Sequence, residues 1–584
     1  MCLPKVSQIF NKFANRIRPN PGGNRQPQPQ HYYAAEKSVP TVVMGGALST
    51  GAVRITSPSS NGILRPANGE WYFDDIDAKV VEEGDQRFQQ WIVARPPGSP
   101  ADVVVLLNLQ TGAYAGVWHD EWGTGSHRVK CSPGHLQGVN IQFRTGSAND
   151  PNDAALVRFV WRGDESKVLM RKPGKDSIAV RQVGDDDAGS KNFRCEAVQY
   201  DYETFPAWMG RLPDDLPLHH VNLPSTHQTL ALHGISRVRP DLGWANNNDD
   251  LPRPWGPLPV FIDNPRCQDV SLWEQLQMGV RSLDIRLDLN KLPMLRRNDD
   301  GSSHEEPRYF LYARHGLAEM GHSWSAVLMI LQTFLQNNSS ETIIANVRYE
   351  KATPGSRDRW NDWLAAFVDE TRPFWDDHPD QPATIYRFWQ NGSKVMNDLQ
   401  LHDVRGKVIL TTDGDYMPAD ENEGRNRGMR FFPRDMVAVG KYDSKRDEWP
   451  QQLSSCEANL NASKNEQDQN RYHQTSLNVS GLPDPLGLAI HLQGIFTKNP
   501  LHIVQNVTNA KETKQNEVFD PIDFFRYFRE QWQGRGDENP LGEISLGKNG
   551  VLRLGKIDVD FVDQMRDWTA NIVRSNHTVA GKEF

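Results

Sequence analysis

From about residue 205 onward the chain alternates apolar helical stretches with short β-branched runs, and this alternation limits its fold more than any other feature. The helical stretches include SLWEQLQMG and WSAVLMILQTFLQNN, with apolar residues recurring three and four positions apart. The strand-like runs include VRSLDIRLDL, TIIANVRYE, GKVILTT and MVAVGKY. Strands that follow one another through helices run parallel. An alternation of this length predicts an α/β fold, a (β/α)8 TIM barrel with insertions, over residues 205–584. Polar runs such as RNDDGSSHEEP and ASKNEQDQNRYHQ read as surface loops on that frame.

Residues 35–200 have a different texture. DVVVLLNLQTG, LVRFVWRG, KVLMRKPG and SIAVRQVG are short β-branched runs separated by Gly, Pro, Asp and Asn. They predict an all-β, sandwich-like accessory domain of roughly eight strands. Trp71, Trp91, Trp118, Trp122 and Trp161 suit its core, although VWHDEWGTG also reads as a loop where Trp118 and Trp122 meet lipid or sugar. Ahead of it, residues 1–34 combine a basic amphipathic helix with a linker rich in Pro, Gly and Gln. Val6, Ile9, Phe10, Phe13 and Ile17 share one helical face, and Lys5, Lys12, Arg16 and Arg18 supply charge. Such a helix can lie in a membrane interface with Cys2 as an acylation point. A helix docked on its own protein, a frayed tail and an acid-free presequence fit the same pattern.

Charge and cysteine usage narrow the class. The net charge of −9 over 584 residues, with both signs mixed, gives no bias toward nucleic acid. No apolar run approaches the roughly 20 residues that span a bilayer. Five scattered cysteines have neither metal-ligand spacing nor a disulfide framework, so a cytoplasmic protein with peripheral membrane association is expected.

Four short stretches carry chemistry. His227 follows the turn in LPSTH. Asp284 and Arg286 stand two apart in GVRSLDIRLD, and strand geometry points them to one side. FLYARHG ends a strand-like run at His315, and GKIDVDFVDQ carries Asp560 at the end of a late strand. Each alone suits a structural role, since a lone His is commonly a core residue and an Asp-x-Arg commonly a salt bridge. Together they supply a general base, a general acid and an electrostatic clamp for phosphoryl transfer.

LPSTH, WEQLQMGVRSLDIR, YARHG and FLQNNSSETIIANVRYE, in that order and spacing, resemble the X-domain of phosphatidylinositol-specific phospholipase C in its bacterial and fungal form. The resemblance covers roughly residues 205–570. It implies a distorted barrel and a metal-free, two-step reaction on a phospholipid surface carrying phosphatidylinositol or a related lipid. His227 would take the proton of an inositol 2-hydroxyl, His315 would protonate the leaving oxygen, and Arg286 would hold the developing charge. Asp560 would orient His227, and Asp284 would sit beside the attacking hydroxyl. Arg348 and Glu350 in NVRYE, and Tyr442 in VAVGKYDS, would meet the headgroup. No metal or other cofactor is implied, because Arg286 stands where Ca²⁺-dependent members carry an acidic ligand.

The chain also departs from that pattern. Gln228 stands where the bacterial form has an Asp that partners the general-acid His and the Ca²⁺-dependent form has Asn. A Gln can hydrogen-bond to His315 but brings no full charge. Asp413 and Gly440 replace a basic and an acidic residue of the headgroup pocket. Two further readings therefore stay open: a phosphodiesterase for another lipid headgroup, and a catalytically weak lipid-binding protein.

Overall fold

Hydrogen bonding sorts the strands of the chain into two sheets, one antiparallel and one mainly parallel. The computed structural model describes residues 51–56, 63–67, 70–74, 89–99, 105–118, 128–133, 141–145, 156–161, 164–171, 178–182, 193–232, 267–297, 303–315, 318–350, 360–379, 381–387, 398–412, 429–431, 436–439, 454, 458, 472–476, 556–559, 562–563 and 566–580. The amphipathic helix and linker proposed for residues 1–34 lie outside them. Val42–Phe584 forms one compact unit.

The first sheet holds β1 (Val53–Thr56), β2 (Ile63–Ala67), β3 (Glu70–Asp74), β4 (Trp91–Ala94), β5 (Val105–Asn108) and β6 (Ala113–Trp118). It continues through β7 (Arg128–Pro133), β8 (Ile141–Thr145), β9 (Leu156–Trp161), β10 (Asp164–Arg171), β11 (Ile178–Gln182) and β12 (Phe193–Ala197). Among the described residues these twelve strands form one hydrogen-bonded sheet, where the sequence suggested about eight. β1 pairs with both β12 and β4, so the sheet is cross-linked rather than a simple meander. Trp91 is fully buried.

The second sheet contains eight parallel strands: β13 (Leu223–Thr226), β14 (Ser282–Arg297), β17 (Thr342–Tyr349), β18 (Lys407–Thr412), β19 (Met429–Phe431), β20 (Met436–Val439), β21 (Tyr472–Ser476) and β22 (Lys556–Val559). β13 lies between the second and the last of these, pairing with β14 on one side and β22 on the other. The spatial order is β19-β18-β17-β14-β13-β22-β21-β20, a run of eight parallel strands joined by seven pairings. Among the described residues β19 and β20 are not paired.

β15 (Ser303–His315) pairs antiparallel with β14 beyond its parallel stretch, and β16 (Ala318–Ser323) pairs antiparallel with β15. RNDDGSSHEEP is therefore only partly a loop: β14 runs to Arg297, and Ser303–Pro307 pairs back against it. Residues 298–302, between the two strands, lie outside the described residues.

Helices cover the outer face. α1 (Leu272–Gln277) starts at a capping box in which Ser271 accepts from the Glu274 N–H and Glu274 reaches back to the Ser271 N–H. α2 (Trp324–Asn337) is capped by Ser323 and is buried around nearly its whole circumference. α3 (Trp360–Trp375), α4 (Leu401–Val404) and α5 (Arg566–Ala580) complete the described set. A helix apolar on all sides needs cover on all sides. Leu328, Ile330 and Leu331 share one core with Leu283, Ile285, Val347 and Leu410 of the parallel sheet. Ile92, Leu107 and Leu109 of the first sheet belong to the same core.

That packing decides what the strands turn inward. With Leu283, Ile285 and Leu287 against the helices, the period of two sends Asp284 and Arg286 to the opposite face. One end of this inner face is sealed by a second apolar cluster of Leu223, Ile344 and Ile409 with Trp208, Met209 and Leu218. The fully buried Arg281 anchors that end. Its guanidinium bonds Glu341 at 2.8 Å and also donates to the carbonyls of Phe205, Pro206, Leu276 and Val280.

Candidate active site

The polar face of the parallel sheet gathers its charged side chains where β13, β14 and β17 end. His227 is the first residue after β13 and is 6% exposed. β14 places Asp284 and Arg286 level with Asn346 and Arg348 of β17. Glu350 follows β17, its backbone N–H donating to the Leu287 carbonyl at 2.9 Å. The structure thus brings His227, Gln228, Asp284, Arg286, Arg348 and Glu350 together from the ends of three adjacent strands.

Arg286 is the hub. Its Nη2 lies 2.8 Å from His227 Nε2, and its Nε and Nη2 donate to Asp284 Oδ2 at 3.2 and 3.1 Å. Its Nη1 is 3.8 Å from Glu350 Oε2. A guanidinium offers only donors, so His227 Nε2 accepts here and its lone pair is directed at Arg286 Nη2. In this arrangement the imidazole carries its proton on Nδ1. The Asp-x-Arg ion pair is real, yet it also holds the imidazole, so the pair is more than a self-contained salt bridge.

Asp284 is buried among cations. Burial alone would raise its pKa, but Arg286, Arg348, His227 and Lys556 hold its carboxyl well below the usual carboxylate range. Arg348 Nε is 3.4 Å from Oδ1, and the backbone N–H of Gln228 donates to Oδ2 at 3.2 Å. Burial likewise opposes the charge on Arg286, while Asp284 and Glu350 outweigh it and raise its pKa.

Gln228 takes a left-handed conformation with φ of 46°, rare for a residue with a Cβ. That turn is what aims its N–H at Asp284. With its side-chain oxygen assigned toward the guanidinium, Gln228 accepts from Arg286 Nε at 3.0 Å and from Nη1 at 2.6 Å. The carboxamide is therefore directed at Arg286 rather than at His315, the partner expected from sequence.

His315 enters by another route. It ends β15, and its Nδ1 lies 3.9 Å from Cys267 Sγ. Asp560 and Tyr442 lie outside the described residues, as do Asp413 and Gly440. Val559, the last residue of β22, is level with Thr226, the residue before His227.

Three contributors escaped the sequence reading. Lys556 and Asp558, each 2% exposed at the side chain, form an ion pair of 3.3 Å on the inner face of β22. They stand four and two positions before Asp560, so strand alternation from that residue would have found them. Gln268 Nε2 donates to the His227 carbonyl at 3.0 Å. No pattern marks Gln268, because its role depends on how a loop closes. Among the described residues no group of three or more His, Cys, Asp or Glu side chains is arranged to hold a metal ion. Nor is any described helix long and apolar enough to cross a membrane.

No family model matches the sequence. Over 240 residues the chain is 26% identical to the 1-phosphatidylinositol phosphodiesterase of Listeria monocytogenes, a match covering 41% of this chain and 59% of that protein. The chain thus spans less than two thirds of that relative's length. Among solved structures it is similar to the phosphatidylinositol-specific phospholipase C from Listeria monocytogenes. That likeness has 20% identity, covers 64% of this chain and 99% of the other, and has a TM-score of 0.37. For a variant of the Staphylococcus aureus enzyme the values are 14%, 61%, 91% and 0.34. Superpositions this loose carry no weight for the fold, which rests on the strand register. What the sequence match shows is similarity to a bacterial phosphatidylinositol phosphodiesterase.

Proposed function

We propose that the protein is a phosphodiesterase of the phosphatidylinositol phospholipase C type, acting on a glycerophospholipid headgroup at a membrane surface approached from the cytoplasm. The observation that carries this reading is the contact of Arg286 with His227 Nε2 at the strand ends: a basic nitrogen beside a fixed cation. The similarity to a bacterial phosphatidylinositol phosphodiesterase supports it. A phosphodiester entering the cavity offers its oxygens to Arg286, whose fork then leaves Nε2 to accept a proton from the headgroup hydroxyl. That hydroxyl oxygen bonds to phosphorus as the bond to the glycerol oxygen breaks. His315 delivers the proton the glycerol oxygen needs, and a cyclic phosphate remains. Water then opens the ring with the two imidazoles in reversed roles.

The second reading, a lipid-binding protein with little turnover, draws on the engagement of Arg286 by Asp284, His227 and the Gln228 amide together. One assay separates the two. The protein is mixed with vesicles of phosphatidylinositol, phosphatidylcholine or sphingomyelin, with and without EDTA, and soluble phosphate products are identified. The first reading expects inositol cyclic phosphate from phosphatidylinositol, undiminished by EDTA. Vesicle binding without product from any lipid would leave only the second.

A further inference from the structure

Between β13 and α1 the chain returns to the site as the dipeptide Cys267–Gln268. The backbone N–H groups of both residues donate to the Ala231 carbonyl, at 2.9 and 3.0 Å, and Gln268 bridges in parallel to Leu232. The dipeptide is thereby fixed against the loop that follows His227. Its two side chains then part. Gln268 donates to the His227 carbonyl at 3.0 Å and accepts from the Val562 N–H, just past β22, at 3.1 Å. Cys267, buried, sets its Sγ 3.9 Å from His315 Nδ1. Adjacent residues on one piece of backbone therefore reach the loop of one imidazole and the ring of the other.

We propose that Cys267–Gln268 is the positioning element of the site, and that the Cys267 thiol is the group that orients His315 as the proton donor. The proposal rests on the phosphodiesterase reading above. An imidazole that gives a proton from one nitrogen is fixed in tautomer and direction by what holds the other. With Nδ1 facing sulfur, the ring presents Nε2 on the edge away from Cys267. The side chain at 228 is committed elsewhere, its amide to Arg286 and its backbone N–H to Asp284. A thiol suits the place because sulfur accepts as well as donates. In the cleavage step the headgroup hydroxyl proton passes to His227 Nε2, the new O–P bond forms, and the P–O bond to glycerol breaks. The Nε2 proton of His315 moves to the glycerol oxygen, while the Nδ1–H stays directed at Sγ.

The test compares wild type, Cys267→Ala and Cys267→Ser on two probes. One is phosphatidylinositol in phosphatidylcholine vesicles, whose glycerol oxygen needs a proton to leave. The other is myo-inositol 1-(4-nitrophenyl phosphate), whose nitrophenolate leaves unprotonated. For Cys267→Ala, kcat on phosphatidylinositol should fall at least about tenfold with KM unchanged, and the nitrophenyl probe should lose less than about twofold. His315→Ala, run alongside, should show the same leaving-group dependence with a larger loss. Equal losses on both probes, or no loss on either, would overturn the proposal by making the sulfur a space-filling group. If Cys267→Ala fails to give a cooperative melt, Cys267→Ser carries the same comparison. A wild type inactive on both probes would sink the phosphodiesterase reading and this proposal with it. That result is distinct from an active wild type whose variants lack leaving-group dependence.

Discussion

At the scale of single residues, roles divide between main chain and side chain. His227→Ala should abolish cleavage of phosphatidylinositol vesicles while shifting the thermal melt by less than about 1 kcal/mol, because the site is built on rigid strand ends; retained turnover would refute its place as the base. Gln228→Asp brings a carboxylate beside Arg286, the contact its amide now makes. We expect a lower kcat, since a third carboxylate on that guanidinium, after Asp284 and Glu350, competes with substrate phosphate; a faster enzyme would mean that a missing charge limits the proton-donor step. For Asp284→Asn, the partly exposed guanidinium groups of Arg286 and Arg348 lose their buried counter-charge, which should cost about 3 kcal/mol of stability. The sign of its pH dependence follows from a carboxyl whose pKa is depressed in the folded state. Its contribution is fully present above the unfolded value near 3.9 and is lost only as pH falls through the lower folded value. Denaturant melts of wild type and Asp284→Asn should therefore differ equally at pH 7 and pH 5. A gap that closes at pH 5 would contradict the depressed pKa. Asp284 and Arg286 were legible in the sequence because i and i+2 on a strand share a face, whereas Arg348 and Glu350 came only from the resemblance to a known family. Cys267 and Gln268 were not, since only loop closure brings them to the histidines.

At the scale of elements, α2 is the member under the tightest packing. Leu328 lies in the core shared by both sheets, so Leu328→Ala should cost about 2–5 kcal/mol, measured by denaturant unfolding. A cost below 1 kcal/mol would mean that the helix is covered on one side only. Its apolar run was easy to read as a helix, but what lay on its outer side was not. Periodicity reports how much of a helix is buried and says nothing of the partner. The β14–β15 pairing was missed for a related reason. RNDDGSSHEEP is as polar as a loop, and a two-stranded extension beyond a sheet has no apolar face to betray it. Parallel strands such as β17 and β18 were plain because burial on both faces leaves a strong apolar run, but β21 begins inside ASKNEQDQNRYHQ, whose polarity reads as a surface loop although Tyr472–Gln474 is strand.

At the scale of the whole molecule, the first sheet and the parallel sheet meet through α2, so removing one should damage the other. A chain beginning at residue 205 leaves Leu328 and its neighbours without the cover of Ile92, Leu107 and Leu109. It should aggregate at micromolar concentration where the full chain stays monodisperse in light scattering; a monodisperse, cooperatively melting fragment would show the cover to be dispensable. The order of synthesis adds a consequence of the same packing. β5 leaves the ribosome more than two hundred residues before α2, and β13 more than three hundred before β22. Contacts so distant in sequence form late and slowly. The apolar edge of the first sheet must stay unsatisfied while most of the chain is still being made, so the nascent protein passes through a long interval in which it depends on being shielded from its neighbours.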